Sequence, residues 1–291
     1  MTSVNCKTIR IRGKLLPLHP PLVMGILNVT PDSFHAFSRR QTETEIHSRI
    51  EEILAEGGRI IDIGACSSRP GAAEVSEEEE MKRLASALRI VQTHYPDAIV
   101  SVDTFRADVA RRSVEMYGAS IINDISGGES DADMFLAVAR LNVPYILMHM
   151  RGTPQTMQQF VTYDNLIVDI RTYFAEKVYK LQLLGVSDIL LDPGFGFSKT
   201  TAQNFELLRR LDDFAVFGLP LLAGLSRKSM IYKHLHITPD DSLNGTTALN
   251  TLALLKGADI LRVHDVKAAV EVVQLVHAYS NSDPVCGCAS E

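Results

Sequence analysis

The sequence predicts a single (β/α)8 barrel, and three observations carry that prediction. Short apolar runs alternate with amphipathic helical patterns from Leu22 onward, eight such runs can be counted, and most of them end in a polar or charged side chain. Each unit occupies roughly 30 to 40 residues with no linker between units, as strand–crossover–strand repeats of a closed parallel sheet do. A doubly wound open sheet is the alternative, since 291 residues also accommodate two average domains. The count of eight favours the barrel. It divides the chain into an N-terminal segment (1–21), a barrel (22–281) and a flexible tail (282–291).

Residues 1–14 alternate weakly, Thr8, Arg10 and Arg12 against Ile9 and Ile11, so a strand or hairpin outside the main sheet is expected there. The run Leu22–Leu27 is almost wholly apolar, as suits a strand covered on both faces. It delivers Asn28 into the turn chemistry of Thr30, Pro31, Asp32 and Ser33. Thr42–Glu56 is helical through Ile46, Ile50, Ile53 and Leu54, and Gly57-Gly58 stops it. Arg59–Gly64 is the second strand and empties into the loop Ala65–Ala72. Ser76 and Glu79 fit a capping box for a helix buried through Met81, Leu84, Leu88 and Val91, with Glu77 to Glu80 as its solvated first turn.

Ala98–Val102 is the third strand, tipped by Asp103-Thr104; helix Arg106–Tyr117 stops at Gly118, and strand Ser120–Ile122 is tipped by Asn123-Asp124. Helix Asp131–Leu141 precedes strand Pro144–Met148, tipped by His149, and the long helix Asn165–Leu184 ends at Gly185. Strand Asp188–Leu191 delivers Asp192 into PGFGFSK, helix Ala202–Leu211 follows, and strand Pro220–Ala223 leads into GLSRKS (224–229). Helix Leu243–Leu255, strand Ile260–Val263 and the pair His264-Asp265 complete the pattern before the last helix.

The formal charge of −6 leaves no electrostatic footprint for nucleic acid. No apolar run approaches the roughly 20 residues that cross a bilayer. The opening MTSVNCKTIRIRGK lacks the apolar core of a signal peptide, so a cytoplasmic protein with no membrane partner is expected. Cys6 and Cys66 stand alone, and Cys286 and Cys288 lie in the polar tail. Without a neighbouring His cluster they read as reduced thiols, neither a zinc site nor a disulfide framework.

In such a barrel the loops after the strands converge at one end. Asn28, Asp62, Ser68, Arg69, Asp103, Asn123, His149, Asp192, Lys228, Arg262 and His264 should therefore crowd one mouth. Any one of them alone reads equally well as a cap or strand-end hydrogen bond; the set points to a site. Asp103, Asn123 and Asp192 offer acceptors and an amide that suit a flat heterocycle carrying N–H groups, a pteridine or a purine. Such a ligand also compensates two neighbouring buried carboxylates. Lys228 adds a donor, and Met148 and Phe195 are candidates for apolar walls.

Arg69, Arg262 and His264, with Lys228 close by, form a cationic group beside the last two strands, where barrels often hold phosphate and where an arginine fork fits its oxygens. An ion pair of Arg262 with Asp265 or another neighbouring carboxylate is the plainer alternative. Asn28 offers an amide oxygen, which fits a Mg²⁺ held mostly by water and substrate phosphates. DPGFGFSK (192–199) is glycine-rich but does not match GxxxxGK[ST], so a nucleotide P-loop is rejected.

The segments MGILNVTPDSF (24–34), IDIGACSSRPGA (61–72), SVDTFR (101–106), INDISGG (122–128), LMHMRGTPQTMQ (147–158), LLDPGFGFSK (190–199), GLSRKS (224–229) and RVHDV (262–266) occur in this order over nearly the whole chain. On these segments the chain resembles the dihydropteroate synthases. The resemblance implies condensation of 6-hydroxymethyl-7,8-dihydropterin diphosphate with 4-aminobenzoate, by dissociative substitution, to give 7,8-dihydropteroate and pyrophosphate. It implies that Asp103, Asn123, Asp192 and Lys228 hold the pterin, and that Asn28, Arg262 and His264 take the pyrophosphate, Asn28 also touching Mg²⁺. Ser68 would meet the phosphate side, while Arg69, Pro70, Phe195, Lys228 and Ser229 would frame the aminobenzoate. Asp103, Lys228, Arg262 and His264 are then the residues expected to act on the reaction. A homodimer is implied as well, and the family is the target of sulfonamides, which resemble the second substrate.

Two departures fall in the loops. ACSSRPGA stands where many relatives have a Gly-Glu-Ser-Thr run before Arg-Pro-Gly, and HAFSRRQTE follows Phe34 without the usual Ser-Asp-Gly-Gly. A pterin-binding methyltransferase would keep Asp103, Asn123 and Asp192 but has no need of Lys228, Ser229, Arg262 and His264. A barrel that binds a pterin without catalysis is the remaining alternative.

Overall fold

The computed structural model describes residues 7–30, 39–66 and 75–282. Its first two strands, β1 (Thr8–Ile11) and β2 (Lys14–Pro17), form an antiparallel hairpin. Arg12 and Gly13 turn it at φ of 49° and 78°, the left-handed pair that a two-residue hairpin turn needs to match strand twist.

The main sheet begins with β3 (Leu22–Asn28). It continues through α1 (Arg39–Ala55), β4 (Ile60–Gly64), α2 (Glu77–His94), β5 (Ile99–Asp103), α3 (Ala107–Tyr117), β6 (Ile121–Asp124), α4 (Met134–Leu141) and β7 (Tyr145–Met148). The second half comprises α5 (Leu166–Leu183), β8 (Ile189–Asp192), α6 (Thr201–Arg209), β9 (Leu222–Ala223), α7 (Ser229–Leu235), α8 (Leu243–Leu255), β10 (Ile260–Val263) and α9 (Val266–Ser280). Neighbouring strands from β3 to β8 pair in parallel, and β10 pairs in parallel with both β3 and β9. The ends of the sheet meet where Leu191 bridges Leu221 and its N–H donates to the Pro220 carbonyl (2.8 Å). The eight parallel strands thus form the barrel that the alternation predicts.

Side chains alternate across a strand, so each barrel strand feeds two separate cores. One parity, including Val23, Ile61, Val100, Ile122, Leu147, Leu191 and Leu261, is buried in the core that also takes Ile50, Leu84, Val109, Phe174 and Val266 of the helices. The other parity faces the barrel axis. At the N-terminal end of the strands it supplies Leu22, Met24, Ile60, Ile121, Ile146, Leu190, Leu222 and Ile260, which cluster with Ile9, Ile11 and Leu18. The hairpin therefore closes the barrel floor, a task its weak alternation does not reveal. Lys7 pairs with Asp259 (2.8 Å) and the Arg12 guanidinium donates to the carbonyls of Pro96 and Ala98, fastening it there.

The helix starts are partly as expected. Ser76 accepts the Glu79 N–H (3.3 Å), but the Glu79 carboxylate reaches Arg83 (2.9 Å) instead of completing the box. Glu80 is not solvated: it is fully buried, accepting from the Thr104 hydroxyl (2.6 Å) and paired with Arg106, whose guanidinium also holds the Val75 carbonyl. A reciprocal capping box does form at Thr200 and Gln203. Among the described residues no helix is long and apolar enough to cross a membrane.

Candidate active site

The inward-facing parity changes character one step along the strands. In β4, Ile60 gives way to Asp62; in β6, Ile121 to Asn123; in β8, Leu190 to Asp192; in β10, Ile260 to Arg262. Register keeps these residues together. Asn28 lies beside Gly64, Gly64 beside Asp103 and Asp103 beside Asn123, while Met148 lies beside Asp192. Gly64 leaves open the space a side chain would take, since a Cβ there would lie 3.6 Å from Asn28 Oδ1 and 3.5 Å from Asp103 Cβ.

Arg262 is the centre of this layer. Its Nε donates to Asp62 Oδ2 (2.6 Å) and its Nη2 to Asp103 Oδ2 (2.8 Å), while Asn123 Nδ2 donates to the same Asp62 oxygen (3.2 Å). The ion pair with Asp265 suggested by sequence proximity does not form, because Arg227 takes Asp265 with two bonds (2.7 and 3.1 Å). One guanidinium thus serves two carboxylates. Burial works against its charge, but Asp62 and Asp103 outweigh that and raise its pKa further. Burial likewise lifts the Asp103 carboxyl to about 7, opposed by Arg262 and reinforced by Asp62. Burial also raises Asp192, against the Gly194 N–H that donates to it (2.8 Å) and the charges of Lys228 and Arg262.

Lys228 precedes α7, whose first residue is the half-buried Ser229, and its ammonium lies over the Phe197 ring, 4.3 Å from the centroid. Gly196, at φ 82°, would bring a Cβ within 3.1 Å of Lys228 Cδ. Burial and then the Arg262 charge lower Lys228 to about 8, while Asp192 and Asp103 oppose the shift. Met148 and Phe197 belong to an apolar cluster with Ile125, Met150 and Met157. Phe197 thus stands with Met148 beside Lys228, whereas Phe195, 1% exposed, packs in the helix-facing core. Two residues of alternation separate these positions in a loop with three left-handed residues, Gly194, Gly196 and Ser198, so the sequence gives no parity by which to choose.

His149 is also out of the mouth. It is 1% exposed, with Nδ1 3.1 Å from Lys199 Nζ, and that ammonium donates to the carbonyls of Gly194 and Phe197 (3.0 Å each). Lys199, the last residue of the segment DPGFGFSK, thus ties the loop together, a role not assigned to it from sequence. Asp124 is occupied by structural work, accepting from Tyr145 Oη, Ser126 N, Ser126 Oγ and Gly128 N (2.7–2.8 Å).

The rim holds Arg49, Arg227 and Lys267, but His264, grouped with the cations on sequence, is not a cation there. His264 Nδ1 lies 3.0 Å from Ser226 Oγ, and burial, then Arg262 and Arg227, lowers the imidazole to about 4, so it is neutral near pH 7. His264 also lines a cavity of about 590 Å³ together with Arg49, Arg227 and Lys267, and with the carboxylates of Glu52, Glu56 and Glu271. Asn28 is exposed at the end of β3. Among the described residues no group of three or more His, Cys, Asp or Glu side chains is arranged to hold a metal. A single amide oxygen beside an open glycine fits an ion that arrives with its own waters and phosphates, not a resident metal. Ser68, Arg69 and Pro70, and the tail cysteines, lie outside the described residues.

A closed parallel barrel whose axis carries three carboxylates, an amide, an arginine and a lysine at the C-terminal ends of its strands has its polar groups where barrel enzymes hold their active sites. The profile of the family described as pterin binding enzyme matches residues 24–264, so the chain belongs to the pterin-binding enzymes. Within them it belongs to the dihydropteroate synthases, transferases of folate biosynthesis. The dihydropteroate synthase of Escherichia coli strain K12 is 42% identical over 269 residues, spanning 92% of this chain and 94% of that one. The crystal structure of the Yersinia pestis dihydropteroate synthase in a sulfonamide drug complex superposes with a TM-score of 0.88 at 40% identity, covering 95% of this chain and all of the other. That of the Xanthomonas albilineans enzyme with 4-aminobenzoic acid gives 0.85 at 36% identity, covering 96% and 100%.

Proposed function

We propose that this chain joins 6-hydroxymethyl-7,8-dihydropterin diphosphate to 4-aminobenzoate in the barrel mouth, with the pterin held in the axial layer and its diphosphate at the rim. One observation carries this reading: Arg262 touches Asp62 and Asp103 within the layer, and its charge acts on Asp192, Lys228 and His264 alike. The two halves of the site therefore adjoin. Asp103, Asn123 and Asp192 pair with the N–H groups of the ring, Lys228 donates to it, and Met148 and Phe197 cover its apolar edge.

As the bond from the pterin methylene carbon to oxygen breaks, negative charge grows on the leaving pyrophosphate, where Arg262 and His264 stabilise it. Positive charge spreads into the ring, where Asp103 offsets it. The amine of the aminobenzoate then forms the new C–N bond and loses its proton to solvent, so no strong base is required. Asn28 would hold a Mg²⁺ together with the diphosphate, and the ion would supply further charge stabilisation there. Ser229, at the first turn of α7, is assigned to the aminobenzoate side, the role that the family resemblance also gives Ser68, Arg69 and Pro70. Sulfonamides compete there. The family resemblance supports a homodimer, and the acidic composition is compatible with a cytoplasmic enzyme.

Pyrophosphate release tests the reading. Release that requires both substrates and Mg²⁺, with dihydropteroate formed in equal amount, is the expected result. Methyl transfer from a methyltetrahydrofolate without pyrophosphate release would overturn it.

A further inference from the structure

Ser226 lies in the loop after β9 and is 4% exposed. The loop is fixed on both sides: Arg227, at φ 56°, holds Asp265 and Asp240, and its own N–H reaches Thr246 Oγ1 (3.2 Å). The same hydroxyl meets His264 twice. Ser226 Oγ accepts the His264 backbone N–H (3.1 Å) and lies 3.0 Å from His264 Nδ1. The Arg49 guanidinium meanwhile donates to the His264 carbonyl.

Counting protons decides the direction of the second contact. A serine hydroxyl has one proton to give, and a buried donor left without an acceptor costs about 1–3 kcal/mol. The backbone N–H already occupies an acceptor position on Oγ. If Nδ1 also carried a proton, Oγ would accept twice and its own hydrogen would have no partner among the described residues. If Nδ1 is bare, Oγ accepts once and donates once, and Nε2–H is the one donor left over. We propose that Ser226 is a positioning residue for His264, donating to Nδ1 and thereby fixing the imidazole as the Nε2–H tautomer, whose remaining donor serves the departing diphosphate. This rests on the reading that His264 binds the diphosphate. The neutrality of the ring, enforced by burial and by Arg262 and Arg227, fits that role, since a neutral imidazole has only one N–H to place.

Two measurements test it. In full-length protein labelled with ¹⁵N-histidine, long-range ¹H–¹⁵N correlation at pH 7 should show His264 protonated at Nε2 and bare at Nδ1, the signal being assigned by its loss in His264→Asn. Protonation at Nδ1 would overturn the proposal, and this reading is taken on the protein with Ser226 unaltered. By calorimetry with Mg²⁺ and inorganic pyrophosphate, Ser226→Ala should weaken binding roughly three- to tenfold, with 6-hydroxymethylpterin affinity unchanged. An unaltered pyrophosphate affinity in Ser226→Ala, beside a weakened one in His264→Ala, defeats the positioning role alone. If His264→Ala also leaves the affinity unaltered, the diphosphate reading of the rim fails with it.

Discussion

The two ends of the barrel axis are built from the same strands and the same side-chain parity, yet they have opposite chemistry. At the floor Ile60, Ile121, Leu190 and Ile260 meet the hairpin's Ile9, Ile11 and Leu18 in a dry, closed cluster. Two residues further on, Asp62, Asn123, Asp192 and Arg262 share hydrogen bonds and charge. A step of two residues along a strand is only about 6.6 Å. Stability and chemistry are thus separated by one layer, and the polar layer rests on an apolar one. The floor is sealed by side chains that need only shape, while the groups of the mouth are held by specific hydrogen bonds and opposite charges.

The sharpest way to break this comparison is Arg262→Ala. Removing the cation leaves Asp62 and Asp103 facing each other and strips the leaving group of its main stabiliser. Turnover per folded molecule should fall by about a thousandfold or more, and stability by roughly 3–5 kcal/mol because a buried charge is left unpaired. Pairing Arg262→Met with Asp62→Asn should recover part of the stability and none of the turnover. Near-normal steady-state turnover in a folded Arg262→Ala protein would remove the central assignment. Asp192→Ala should act more narrowly. Losing a charged hydrogen-bond partner of the ring lowers pterin affinity about 10- to 100-fold by calorimetry, and pyrophosphate affinity should stay within a factor of two or so.

A smaller effect distinguishes the mouth by pH. Lys228 is lowered to about 8 by burial and by Arg262, and its donor role needs the ammonium. As pH rises through that value the proton is lost, so kcat/KM should decline roughly fivefold between pH 8 and pH 9. Lys228→Arg, which does not titrate in this range, should abolish that decline even where its own rate is lower. A pH profile unchanged by Lys228→Arg would assign the limb to another group.

The barrel and the polar layer were legible in the sequence because both depend on local order. Each apolar run ends at its polar residue, and strand-end residues of a parallel barrel share one end whatever their packing. Asp62 was placed at the mouth by that logic, but its partnership with Arg262 joins residues 200 positions apart, and Asp265, one turn from Arg262 in sequence, looked the nearer partner. Loops defeated the reading for a related reason. Phe195 and Phe197 differ only by how three left-handed residues fold the chain between Asp192 and Lys199. Glu80 was read as solvated by its place in a run of four glutamates, yet Thr104 and Arg106 of the next unit bury it. The hairpin's floor-sealing role was hidden because its partners come from seven different strands.

The floor supplies the converse test, with the smallest effect on chemistry. Ile146 is fully buried on the axis, next in register to Asn123 and Leu190. Ile146→Ala removes buried volume that the closed hairpin end cannot readily collapse to fill, so chemical denaturation should show a loss of about 2–5 kcal/mol. The polar layer keeps its hydrogen bonds, because none of them involves Ile146, and kcat/KM per folded molecule should stay within about twofold at a temperature where the variant is fully folded. A large loss of turnover in folded Ile146→Ala would mean that the floor sets the position of Asn123 and Asp192 as well as holding the barrel shut, and that the two layers act as one unit.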